Sequence, residues 1–583
     1  MIRNSINNYS RWLLFPSFFS RYLSNNNNNN NHRLIVKNFD RKTFDYFYTR
    51  RLKIYNNNKT QMLNHIRTHI ESVLKTSSII NYLINLNSIN QYKFFSYKIS
   101  IEQLNDILFF AYEHNIKLNF LTKRLIECVL PINNKYHSNL FIELINLFVF
   151  HQQKYYDIET KHSNDILQKF INNLELNLTN NQINSISLFD LSLLCSAMYR
   201  LQISLKNNYL LEYIAKYLIN DENKKFLSAV DKQNFIKILT LSNYGKINIA
   251  QSLTNRFNQS FEKYIKLNLY SFSYEIVRMT MRIGIYFSMF HFYSNEFFKN
   301  CLKLIELESN SSIPLYRAKD IIQIMNTLIY MGYVQKQNHK YLELIYIYHQ
   351  MNQFNKKSER LIDVLASLAM INCFPENLLE ELFTKENLNQ LIESRMKEKL
   401  FFISESYKLL CSSQKSLLDQ NYLKSLPHHI FGSWEIEKRK RPYFSIVIQR
   451  LLECVPNRLY VKSAFLLKHF KSPDIIICLN AKQQPQIIPN GKVKSISFFD
   501  ESENECSLYA LQVLNEDELC INEPFRPLGL FYSKAHQLQK LKYIPVIIYP
   551  NDSLHQVKTT KEIFEWIVQR AQTTELLLNE NIS

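Results

Sequence analysis

The chain has 583 residues, too many for one ordinary core, so an extended array or several domains is expected. Six glycines, none before Gly245, leave too few left-handed positions for a β-sandwich, a nucleotide-loop enzyme or a Rossmann domain. A formal charge of +19 beside 46% hydrophobic residues excludes global disorder and describes a folded, basic protein.

The first 42 residues read as a mitochondrial transit peptide and an asparagine-rich linker. Arg3, Arg11 and Arg21 stand among hydroxyl and bulky apolar residues, and no acid precedes Asp40. That is the organellar presequence pattern; a merely basic tail is the alternative. Arg11 and Pro16 break the apolar core that a secretory signal needs, and Asn25 to Asn31 form a low-complexity run. No uncharged apolar stretch reaches the roughly 18 residues of a spanning helix.

Residues 43–426 are expected to be an α-helical repeat region. Ser100 and Gln103 have the spacing of a capping box opening a helix. Five apolar helices then run into turns, with Tyr199, Tyr244, Arg282, Tyr330 and Met370 spaced by 45, 38, 48 and 40 residues. A second helix follows each. A degenerate helix pair of about 40 residues predicts an α-solenoid, with an irregular bundle as the alternative. Gly245, Gly284 and Gly332 are assigned to the turns within the pairs, where a left-handed residue closes a helix. His65 and His69 read as surface histidines, and the 36 tyrosines and 40 phenylalanines mainly as core.

Proline marks the next boundary, four of fourteen lying before Pro427. Residues 427–505 form a junction, and 506–572 a small α/β domain followed by a tail, 573–583. Strands are expected at Asp474, Val493 and Ser507, then the basic helix SKAHQLQKL, the strand IPVIIYP and a last helix, TKEIFEWIVQRA. Nine single cysteines, without a C-x-x-C, point to buried thiols in a reducing compartment and away from a zinc site.

The stretch RPLG (Arg526 to Gly529), KAHQLQKL (Lys534 to Leu541), Lys542-Tyr543 and VIIYP resembles the RAP domain, and the larger arrangement resembles the FAST kinase domain-containing family. Lys542 stands where that family usually has glycine, and Pro550-Asn551-Asp552 replaces its aromatic-acid-Trp ending. NRLYVKSAFLLKHFKSPDIIICLNAKQQPQIIP resembles the family's preceding segment, an apolar helix leading to an acid-containing strand and a proline. The resemblance implies a mostly α chain ending in a RAP-like, restriction-endonuclease-like α/β domain. It further implies a mitochondrial-matrix protein acting on mitochondrial mRNA or rRNA, in processing, stability or ribosome maturation, with mitochondrial ribosome or RNA-granule proteins as partners.

Despite the family's name, the glycine-rich loop, H-R-D and D-F-G of phosphoryl transfer do not occur. A nuclease of this fold needs paired carboxylates, and alignment to the family puts Gln512 and Leu514 in their places. Glu516, Asp517 and Glu518 read as a solvated turn. No catalytic residue, metal or cofactor is therefore assigned. RNA contact is expected instead from Arg526, Lys534, His536, Lys540, Lys542 and Tyr543, cations for phosphates and a ring for bases; a solvated basic helix fits the same residues. Lys438 to Arg441 form a second candidate phosphate contact. A metal-dependent ribonuclease and a protein-binding scaffold are the competing functions.

Overall fold

In this computed structural model the chain is mostly helical, with a small mixed sheet near the C-terminus. The structure describes residues 43–50, 52–53, 58, 61–62, 64–66, 68, 100–113, 138–154, 161–219, 228–266, 274–310, 315–333, 338–350, 359–384, 394–411, 417–418, 437, 439–455, 457–488, 506–550, 552 and 559–582. The expected presequence and linker, the strand at Val493, His69 and the tract from Lys424 to Ile436 lie outside them. No described helix is long and apolar enough to cross a membrane. The helical region expected as one array divides into two compact units, Ser17–Leu253 and Thr254–Ser583.

In the first unit, α1 (Ile101–Glu113) opens on the expected capping box: Gln103 N donates to Ser100 Oγ at 3.2 Å, and Ser100 N to Gln103 Oε1 at 2.9 Å. It packs on α2 (Ser138–Lys154). Phe44, from the helix at residues 43–50, stacks on Phe109 with centroids 4.9 Å apart. After α3 (Lys161–Leu176) and the short α4 (Asn180–Asn184) come three of the repeat helices, α5 (Leu188–Leu201), α6 (Asn208–Ile219) and α7 (Ala229–Leu241). Ser187 caps α5, and Ser228 with Asp231 forms a capping box on α7.

Helix α8 (Ile247–Lys266) carries the division between the units. The second unit continues with α9 (Tyr274–Met289), α10 (Asn295–Ser309), α11 (Ala318–Tyr330), α12 (Asn338–Gln350), α13 (Glu359–Met370), α14 (Glu376–Leu382) and α15 (Ser394–Leu410). First helices stack on first helices, α9 on α11 and α11 on α13, α15 packs next on α13, and α10 packs on α12. Within the first unit α5 stacks on α7 in the same way.

All five first helices close alike. Gln202, Asn243, His291, Gly332 and Asn372 each take a positive φ. The amide after each donates to the carbonyl five residues before it: Ile203 to Met198 O, Tyr244 to Leu239 O, Phe292 to Phe287 O, Tyr333 to Leu328 O and Cys373 to Leu368 O. This is the Schellman closure, which satisfies carbonyls left over at a helix end. The glycine assignment needs correction. Of the three, Gly332 alone is left-handed; Gly284 lies inside α9, where a Cβ would stand 3.0 Å from Thr327 Oγ1, so its role is close helix approach. Polar side chains fill the other left-handed positions, as the short amides of Asn243 and Asn372 can do at small cost.

Beyond α16 (Pro442–Cys454) the sheet has the order β1 (Val461–Ala464), β2 (Asp474–Leu479), β4 (Ser507–Val513), β7 (Ile544–Ile548), with β3 (Pro485–Gln486) also on β2. β7 alone is parallel to its neighbour, in register Tyr509↔Ile544 to Val513↔Ile548, and the crossover contains α17 (Gly529–Lys540). The segment VKSAFLLKHF, expected as an apolar helix, is instead β1 and a 3₁₀ turn at Lys468–Phe470; its β-branched start pairs with β2 from Val461↔Ile477 onward. One sheet thus draws strands from both sides of the expected 505/506 boundary. The expected tail 573–583 is also corrected: α18 (Thr560–Ile582) runs through it. Thr574 Oγ1 accepts from Ile547 N at 3.1 Å, and Leu578 packs on Tyr532 and Ala535, so this stretch covers the open edge of β7.

Strand alternation sorts the sheet's faces. Ile475, Ile477, Leu511, Val513, Val546 and Ile548 share a core with Val447 and Leu451 of α16 and with Ile563, Phe564 and Ile567 of α18. Asp474 and Gln512 therefore face the other way, toward α17. That helix is covered twice, by the sheet and by α11, α13 and α15. Lys542 follows it at φ 61°, the left-handed position at which the resembling family has glycine, a residue without the Cβ penalty.

Candidate functional site

Double coverage of α17 decides what its polar residues can do. Lys534 is 1% exposed, and its Nζ lies 2.6 Å from Asp474 Oδ1 at the start of β2. The same ammonium donates to Ser472 O and Ser472 Oγ, both at 2.9 Å. Burial pushes Asp474 up and Lys534 down, each toward its neutral form, and their mutual attraction opposes both shifts. Next to Asp474 on the adjacent strand, Gln512 is 2% exposed, and neither atom of its amide has a hydrogen-bond partner among the described residues. Gln537 links helix to helix: Nε2 donates to Ser406 Oγ at 3.0 Å, and Oε1 lies 2.8 Å from His469 Nε2. Burial lowers His469 to about 4.

A second buried ionic group lies at the end of β4. Arg441, 2% exposed, donates from Nε to Glu437 Oε2 at 3.0 Å, from Nη1 to Glu518 Oε2 at 2.9 Å and to Val513 O at 3.2 Å, and from Nη2 to Glu518 Oε1. Glu518 Oε2 also accepts from Asn515 N at 2.9 Å. This overturns two expectations. Glu518 is not in a solvated turn, and Arg441 is not a phosphate contact, because the carboxylate and the guanidinium are fixed on each other in the interior. Arg439 and Lys440 of the same run do remain exposed.

The six residues expected to meet RNA are separated by burial. Lys540 and Lys542 are exposed. Arg526 is partly covered, its guanidinium 3.6 Å from the centroid of the Tyr293 ring and 3.9 Å from Glu523 Oε2. His536 is half-buried, and burial lowers its pKa. Lys534 and Tyr543 are interior and must be withdrawn as contacts in this fold. Tyr543 is 4% exposed, and burial raises its hydroxyl to about 12.

The loop and hairpin before α17 tie the sheet to the helix pairs. β5 (Leu519–Cys520) and β6 (Glu523–Pro527) form a two-stranded sheet. Ile521 N donates to His291 O at 2.8 Å, and Asn522 exchanges two 2.8 Å bonds with the Tyr293 backbone. Lys471 Nζ, beside the 3₁₀ turn, reaches Glu398 of α15 at 2.9 Å. Sequence reasoning missed these lock residues and the roles of Glu437, Arg441 and Ser472, since each depends on a partner far along the chain. The one local signal was Glu437 with Arg441, four apart, the spacing of a helical ion pair.

Chemically, the cluster pairs a carboxylate with an ammonium and sets a neutral amide beside them. Among the described residues no group of three or more His, Cys, Asp and Glu side chains could hold a metal ion. No protein-family model and no curated protein matches the sequence.

Proposed function

We propose that this chain is a mitochondrial RNA-binding protein, acting in post-transcriptional control of organellar RNA without catalysis of its own. In this reading the helix pairs form an α-solenoid, the C-terminal sheet domain is RAP-like, and the chain is a member of the FAST kinase domain-containing family located in the matrix. The repeated left-handed closures and the stacking of first helix on first helix support the solenoid. The left-handed Lys542 at the family's glycine position supports the RAP-like domain.

The observation that carries RNA binding is where the charge lies. Each buried lysine or arginine described is held by an acid: Lys534 by Asp474, Arg441 by Glu437 and Glu518, and Lys399 by Asp363. Since these three are held inside by acids, a polyanion would meet other cations of the +19 chain, and Arg439, Lys440, Lys540 and Lys542 are exposed to do so. A ribonuclease reading has Asp474 in its favour but lacks a second acid, since Gln512 does not ionise and Leu514 is apolar.

Ultraviolet crosslinking of the full-length protein in mitochondria, followed by sequencing of the attached RNA, tests the proposal. Recovery of discrete organellar transcripts is expected. Recovery of protein partners without RNA would overturn it and favour a scaffold.

A further inference from the structure

We infer that the first helices α9 and α11 carry a nucleotide-stacking site for single-stranded RNA, centred on Tyr274. The inference rests on the RNA-binding reading above and places a contact where neither the basic run nor the C-terminal helix had suggested one.

Tyr274 opens α9 and is 40% exposed, unusual among the described aromatic rings, nearly all of which are buried or half-buried. Two guanidiniums lie against it. Arg278, one turn along the same helix, has its Cζ 5.5 Å from the ring centroid, and Arg317, at the start of α11, has its Cζ 5.1 Å away. Arg317 is fixed in plane by Asp320, which is fully buried: Nε donates to Oδ2 at 2.9 Å, and Nη2 to Oδ1 at 3.0 Å and Oδ2 at 2.8 Å. Arg278 has no carboxylate partner among the described residues, and its Nε is buried without a hydrogen bond. Arg282 extends the same helix face by one more turn.

Asp320 already meets the charge of Arg317, so the cation left for a ligand beside this exposed ring is Arg278. An unpaired nucleotide offers a flat π-face to lie against tyrosine and guanidinium, and a phosphate to meet the charge of Arg278. A similar pairing recurs in the first unit, where Lys237 of α7 stands 5.4 Å from the Tyr199 ring of α5, again a cation on one first helix over a ring on the preceding one.

The test uses full-length protein and a fluorescein-labelled single-stranded RNA of mixed sequence, with anisotropy read over a salt series. Tyr274→Ala is expected to weaken binding about tenfold with the salt slope unchanged, while Tyr274→Phe binds as wild type. Arg278→Gln is expected to weaken binding and to reduce the slope by about one. If wild type binds with a salt-dependent affinity and both Tyr274→Ala and Arg278→Gln match it, the stacking site is wrong and RNA binding stands. If wild type does not bind even at low salt, both fall. Circular dichroism of each variant separates lost contact from lost fold, and Arg278→Lys gives a second arm, keeping the charge and the slope while losing the planar stack.

Discussion

Gly529→Ala is expected to destabilise the unit at Thr254–Ser583 by at least about 3 kcal/mol. Gly529 begins α17, and the reason for glycine there is space, since its φ is not positive. A Cβ would stand 1.9 Å from Ile329 O and 3.1 Å from both Ile329 C and Tyr330 O. These are backbone atoms at the closing turn of α11, so no side chain can rotate away. The same meeting is tight from the other side, where a Cβ on Gly332 would lie 2.7 Å from the Tyr532 ring. Adding one methyl must push α17 off α11, and α17 also holds Lys534 and Gln537 on their buried partners. Urea unfolding followed by tryptophan fluorescence is a suitable readout because Trp566 packs against the sheet core. Gly284→Ala is the informative control. Its neighbour is the Thr327 side chain, and alanine's gain of about 1 kcal/mol in helix propensity offsets the crowding. Equal, small effects for the two substitutions would mean that α17 does not sit against α11 as described.

Arg441→Met is expected to cost about 3–5 kcal/mol at neutral pH, the usual consequence of removing one partner from a buried ionic group. Glu437 and Glu518, 3% and 1% exposed, would be left without their cation. Burial already raises Glu518, and Arg441 is the largest influence opposing that rise. Without the guanidinium its folded pKa climbs further above the unfolded value. A carboxyl raised on folding favours the native state fully below its unfolded pKa, and that advantage is lost as pH rises through the folded pKa. The deficit of Arg441→Met should therefore be smallest near about pH 5 and grow toward about pH 8. Adding Glu437→Gln and Glu518→Gln should restore a large part of the loss, since neutral amides do not require the cation. A cost below about 1 kcal/mol, independent of pH, would place Arg441 on the surface instead.

Much of the framework is legible in the sequence, because it is written in local periodicity. The five first helices and their partners, strands β2 and β4, and the strand–helix order around α17 follow from apolar spacing and punctuation. Domain boundaries are less legible. β1 and β3 belong to the same sheet as β4, and strand pairing across a long connection leaves no local trace. The basic helix misleads for a physical reason. Amphipathic reasoning gives each helix one wet face, whereas α17 has the sheet on one side and α11, α13 and α15 on the other. Its lysine, serine and glutamine at Lys534, Ser533 and Gln537 are consequently interior. Arg441 misleads in the same way: a run of four cations reads as solvent-facing, yet its last member turns inward. Tyr274 gives no sequence signal because its two cations come from different helices, one of them 43 positions along the chain.

If the exposed cations of this +19 chain serve RNA, the full-length chain must bind a single-stranded RNA in a salt-dependent way. The decisive quantity is its dissociation constant at several salt concentrations. Affinity should fall steeply and linearly in log–log form, with a slope corresponding to several phosphates neutralised. Double substitution of the exposed Lys540 and Lys542 by Glu should weaken binding and flatten that slope. No binding at low salt, or an affinity indifferent to salt, would contradict RNA binding by this surface.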